Sequence, residues 1–97
     1  MLTKREIIKK LSSAKPLLQK KYDIKSLALF GSYSRNTDVK TTSDVDVLVE
    51  FYHPVGIRFI DLADELEQML QNKVDLVSRN GLKPKYYQAI EPELIYV

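Results

Sequence analysis

Phe30-Gly-Ser-Tyr-Ser-Arg-Asn-Thr-Asp-Val-Lys-Thr-Thr-Ser-Asp-Val-Asp-Val-Leu-Val-Glu-Phe51 is the stretch that decides how this chain folds. It follows the short apolar run Lys25 to Phe30, which ends at Gly31 and suits a buried strand. Residues 31–43 are polar and read as a loop, with a helical turn just after Ser32. Asp44 to Phe51 then reads as a second strand. Its alternation sets Asp44, Asp46, Leu48 and Glu50 on one face and Val45, Val47, Val49 and Phe51 on the other. Aspartate is depleted in strands, so two of them opening a valine-rich one is a local conflict of the kind that marks functional sites.

Working outward, Thr3 and Glu6 fit a capping box, with Thr3 as N-cap and Glu6 returning to its backbone N–H. Ile7, Ile8, Leu11, Ala14 and Leu18 give an apolar helical stripe, and Pro16 is expected to open a second short helix reaching about Lys21. His53-Pro54-Val55-Gly56 is a breaker, with His53 read as a turn residue. A helix is predicted over residues 57–71, with Ile60, Ala63, Leu66, Met69 and Leu70 inward and Asp61, Asp64, Glu65 and Glu67 on its wet side. Val74 to Ser78 reads as a third strand carrying Asp75, and Asn80-Gly81 as a turn. Residues 82–91 read as a short helix ended by Pro92, and Leu94 to Val97 as a last strand. The expected fold is α/β (α+β), a small mixed sheet of about three or four strands covered by helices, with 1–97 as one domain.

Composition narrows the function. There is no cysteine, so there is no disulfide, thiolate metal site or Cys nucleophile, and one histidine cannot build a His-based triad or zinc site. No apolar run approaches a membrane span and the start lacks a signal-peptide core, so a cytoplasmic location without a membrane partner is expected. The net charge of +2 is too small to argue for nucleic acid, and direct nucleic-acid binding is not expected. Residues 1–23 do concentrate seven basic against two acidic side chains. That reads first as a solvated helix face, with a docking surface for an acidic partner or RNA as the alternative.

The chemistry lies in the carboxylates. Asp44 and Asp46, two residues apart in a strand, point the same way about 7 Å apart and can share a hard cation. Two Mg²⁺ ions would clamp the attacking and leaving oxygens of a phosphoryl displacement, and a third carboxylate is then needed. Asp75 supplies it if its strand lies beside the first pair. Gly31 lets the backbone approach a phosphate, the Ser32 hydroxyl can donate to it, and Arg35 can add charge-assisted bonds. This is not a P-loop, since no second Gly precedes Lys-Ser/Thr, and no Gly supports a calcium loop. Tyr86, Tyr87 and Tyr96 read as packing or interface residues rather than a base-stacking platform.

Ser26 to Arg35, Ser43 to Phe51, Lys73 to Val77, Leu82-Lys-Pro84 and Ile95-Tyr-Val97 together resemble the minimal nucleotidyltransferases, the MntA type of the polymerase-β-like superfamily. The resemblance implies a polymerase-β palm-like fold, Gly31, Ser32 and Arg35 on the nucleotide, and Asp44, Asp46 and Asp75 as catalytic and Mg²⁺-binding carboxylates. Asn36 stands where the family usually has Gly, and eleven residues separate Ser32 from Asp44, one more than is common. The loop is expected to bulge near Lys40. The resemblance further implies an antitoxin of a type VII toxin–antitoxin system, which moves AMP from ATP onto a tyrosine of a HEPN-domain (HepT-type) toxin. Two other readings stand beside it. One is a non-catalytic module masking its partner through the basic Lys4–Lys21 helix, and the other is nucleotidyl transfer to a small molecule or RNA.

Overall fold

Valine at every second position from Val45 to Val49, closed by Phe51, gives one face of a strand a continuous apolar surface. In the computed structural model, which describes residues 2–35 and 43–97, that face is the floor of the core. Around it run α1 (Lys4–Tyr22), β1 (Ile24–Phe30), α2 (Gly31–Arg35), β2 (Val45–Phe51), α3 (Arg58–Leu70), β3 (Val74–Ser78), α4 (Pro84–Ile90) and β4 (Ile95–Tyr96). Two 3-10 turns, Arg79–Gly81 and Glu91–Glu93, flank α4. The sheet order is β3-β2-β1-β4. β1 is antiparallel to β2 and β4, whereas β2 and β3 are parallel, so the sheet is mixed as expected.

The two faces of this sheet have different tasks. Leu27 and Leu29 pair with Val49 and Val47, and all four are buried against α1 and α3. The other face carries Ala28 beside Leu48, Phe30 beside Asp46 and Ser26 beside Glu50. A register shift between Ile24 and Ser26 brings Ile24 opposite Phe51, which returns it to the core side. The extra residue is the exposed Lys25.

Helix α1 begins as predicted at Thr3, whose hydroxyl accepts the Glu6 N–H at 3.2 Å. The reciprocal contact differs from a full capping box, because the Glu6 carboxylate meets the Thr3 hydroxyl rather than its backbone N–H. Pro16 does not start a second helix. It lies inside one continuous α1. Proline removes the bond to the carbonyl four residues earlier. Ser12 and Pro16 are both exposed, so water can satisfy that carbonyl while Ile7, Leu11, Leu18 and Tyr22 hold the buried side.

The inward stripe of α3 differs from the expected one only at its start. Leu66 and Leu70 are fully buried as expected, but Leu62 is buried with them, whereas Ile60 is 59% exposed. Residues four apart drift little around the helix, so Leu62 shares the face of Leu66 and Leu70, while Ile60, six residues before Leu66, lies off it. Two of the acids expected on the wet side make specific bonds instead. Glu65 accepts the Tyr22 hydroxyl at 2.7 Å and Glu67 accepts the Val74 N–H at 3.0 Å. Among the described residues no helix is long and apolar enough to cross a membrane.

Leu66→Ala is therefore expected to cost about 2–5 kcal/mol of stability, as truncations in a packed core do. Ile60→Ala is expected to stay within about 0.5 kcal/mol. Urea unfolding of the two variants shows which of the two positions lies in the buried stripe.

Candidate active site

The site follows from strand direction. A parallel pair starts at the same edge of a sheet, and an antiparallel neighbour ends there. The starts of β2 and β3 and the end of β1 consequently meet at one edge, bringing Asp46, Asp75 and Gly31 together. The register is direct, with Asp46 opposite Asp75 and Phe30 opposite Asp46. In-register neighbours project to the same face. Asp44 sits just before β2, two residues from Asp46, and belongs to that face by alternation. The three carboxylates named from the sequence therefore converge, and the third comes from a separate strand.

Their electrostatics record the crowding. The Asp46 carboxyl is pushed up to about 6, first by burial, then by the charges of Asp75 and Asp44 and by a hydrogen bond with Asp75. The Arg35 guanidinium opposes this rise, so it also lies within reach of the cluster. Like charges gathered on one face form a hard, oxygen-only donor set of the kind Mg²⁺ takes. Among the described residues no three acidic or histidine side chains stand ready-made at the spacing of a formed metal site. Asp44 and Asp75 are exposed, however, and their side chains can turn toward a shared ion. The donor chemistry fits.

Gly31 has a sharper role here than the close approach of a phosphate. Its φ is +79°, in the left-handed region, and a Cβ there would fall 1.9 Å from Asp46 Oδ2 and 2.8 Å from its Cγ. The missing side chain makes room for Asp46. Nor is the Gly31 amide a free donor, because it gives its hydrogen to Glu93 Oε1 at 3.1 Å. Ser32, next in α2, is half-buried, while Ser34 is buried and donates its hydroxyl to the Glu93 carbonyl. Arg35 closes α2 and ion-pairs with Glu93 Oε2 at 2.7 Å.

Two residues of this region escaped the sequence reading. Glu93 lies 62 residues from Gly31, and no local pattern signals that contact. Asn72, just past the end of α3, carries no local signal of its contacts. Its side-chain amide donates to the carbonyls of Ser43 and Lys73, each at 3.0 Å, and ties the entry of β3 to the residue before Asp44. The expectations at Asn36 and Lys40 fall outside the described residues. Of the three tyrosines read as packing or interface residues, Tyr86 and Tyr96 are exposed and Tyr87 is half-buried. Tyr87 lies beneath the Arg79 guanidinium at 3.8 Å and is hydrogen-bonded to Tyr96.

Two predictions follow from the crowding at Asp46. A carboxyl whose folded pKa is raised binds more protons folded than unfolded, so stability falls as pH rises from the ordinary carboxylate range through about 6. Asp46→Asn is thus expected to be more stable than wild type at pH 7 by about 1–2 kcal/mol, after discounting for solvent screening, with the gap closing near pH 4. Thermal melts of both proteins across pH 4–8 measure it. Gly31→Ala is expected to fold with a loss of about 1–2 kcal/mol from its left-handed backbone. The same variant should lose the site's activity by at least about 10²-fold, since Asp46 must turn away.

The chain matches the family described as "Nucleotidyltransferase domain" over residues 5–97. It is 38% identical to the protein adenylyltransferase MntA of Thermococcus cleftensis, an alignment spanning 100% of this chain and 98% of that one. Among solved structures it is similar to a toxin–antitoxin crystallised with AMP-PNP, with TM-score 0.69, 28% identity and coverage of 98% of this chain and 72% of that one. It is also similar to the complex of a tri-AMPylated Shewanella oneidensis HEPN toxin with its MNT antitoxin, with TM-score 0.61, 26% identity and coverage of 96% and 66%. The fold, the carboxylate edge and these likenesses agree: the chain belongs to the nucleotidyltransferase domain family, as an enzyme of the minimal, MntA type.

Proposed function

We propose that this protein is a Mg²⁺-dependent protein adenylyltransferase that moves AMP from ATP onto a tyrosine of a HEPN-domain toxin and thereby acts as its antitoxin. The observation that carries the reading is the meeting of Asp44, Asp46 and Asp75 at one sheet edge beside Gly31. The names of the MntA relative and of the AMPylated HEPN toxin complex support the acceptor class. The AMP-PNP complex supports ATP as the donor.

In this reading Asp44, Asp46 and Asp75 would hold Mg²⁺, which when bound supplies positive charge against the triphosphate. The first amides of a helix have no partner within it, and those opening α2 beyond Gly31, with the Ser32 hydroxyl, would face the phosphates. Arg35 gives further charge-assisted bonds to the phosphate tail. Asp75 accepts the proton of the acceptor hydroxyl. The phenolic oxygen then forms a bond to the α-phosphorus as the bond to the bridging oxygen breaks, and pyrophosphate leaves with that electron pair.

Co-expression with a HEPN-domain toxin tests the proposal. Intact mass of that partner should rise by whole AMP units, and tryptic mapping should place them on tyrosine. Asp44→Asn/Asp46→Asn should reduce the modification by at least about 10³-fold. Undiminished modification by that variant, or label from ATP arriving on RNA or a small molecule instead, overturns the reading.

A further inference from the structure

We propose that Glu93 is a positioning residue for the phosphate-facing loop, its carboxylate bridging the Gly31 amide and the Arg35 guanidinium so that both are set before ATP arrives. The inference rests on the nucleotidyl-transfer reading above. One residue makes three bonds to α2. Oε1 accepts from the Gly31 amide at 3.1 Å, Oε2 from Arg35 Nη1 at 2.7 Å, and the Glu93 carbonyl from the buried Ser34 hydroxyl.

The need for such a clamp is physical. α2 has five residues, too few to hold its own shape, and it begins at a glycine whose backbone is unrestrained by a side chain. Arg35 is about half exposed, and a free arginine gives up its rotamer freedom at the moment of binding. Glu93 reaches the loop from a firm base. It ends the Pro92-containing 3-10 turn and is followed at once by β4, whose Ile95 and Tyr96 pair with Leu29 and Ala28 of β1. The strand that leads into Gly31 and the strand that follows Glu93 are therefore neighbours, and the clamp closes across them. Arg35 keeps most of its five donors for a ligand, since Glu93 engages only Nη1.

A carboxylate facing a phosphate loop could act in the opposite sense, as a competing anion that ATP must displace. The Gly31 and Ser34 bonds argue against this, because a gate would have to break all three contacts, two of which involve no cationic group. The two roles give opposite signs in one measurement. Binding of ATP with Mg²⁺ is titrated calorimetrically on the full chain. As a positioning residue, Glu93→Gln weakens binding by about tenfold, because its one acceptor oxygen stays with the Gly31 amide and the NH₂ group that replaces the other cannot accept from Arg35. Arg35→Ala weakens it comparably, and the Glu93→Gln/Arg35→Ala double variant is no weaker than Arg35→Ala, since Glu93 acts through Arg35. Glu93→Asp, one methylene short of spanning both partners, binds with intermediate affinity.

Wild-type or tighter binding by Glu93→Gln overturns the proposal, as does a fully additive double variant. Should Glu93→Gln not fold by circular dichroism, Glu93→Asp decides alone, and wild-type affinity in it is a refutation. Absence of ATP binding by the wild-type chain sinks the nucleotidyl-transfer reading and this inference with it. Wild-type binding that Glu93→Gln leaves unchanged sinks only the role of Glu93.

Discussion

The structure depends on placing Asp46 directly opposite Asp75 in a parallel strand pair. Like charges facing each other across a ladder are destabilising, and here the penalty is visible in the raised Asp46 carboxyl. No fold would keep that arrangement for stability alone. The cost is carried by the opposite face of the same two strands, where Val45, Val47 and Val49 of β2 are fully buried and Val74 and Leu76 of β3 pack against the core. Alternation lets one strand do both tasks, because each residue step moves a side chain to the other face. The core clamps the register, and the register holds the carboxylates together.

The pieces around Asp46 make sense as accommodations of that crowding. Gly31 yields the volume a Cβ would occupy. Arg35 offsets part of the negative charge from the side of α2. Glu93 in turn holds Arg35 and the Gly31 amide, and Asn72 fixes the backbone just ahead of Asp44. The two tethers come from opposite ends of the sheet, one beyond the edge strand β3 and the other beside β4. The site is a rigid edge with loops pinned to it. Such an edge suits a phosphoryl transfer, in which positioning and electrostatics account for most of the catalysis.

Much of this was legible in the chain. The strand Asp44 to Phe51, its two faces, the break at Gly31 and the later strand carrying Asp75 are local signals, each spread over fewer than ten residues. The errors were local as well, but they turned on tertiary packing. Pro16 breaks a helix in isolation, yet α1 continues through it because Leu11 and Leu18 are buried on either side. Ile60 is as apolar as Leu62, and only the position of the sheet selects the leucine face of α3.

By itself, then, the sequence singled out the three aspartates, the break at Gly31 and the apolar strand faces, since alternation and glycine breaks are properties of neighbouring residues. The tertiary structure decided that Asp75 meets Asp46, because strand order and parallel direction arise from the α3 crossover and not from either strand alone. It also decided that Gly31 serves Asp46 by leaving space, and that Glu93 holds the loop from 62 residues away. Contacts of that separation depend on how the whole sheet closes, and no periodicity in the chain encodes them.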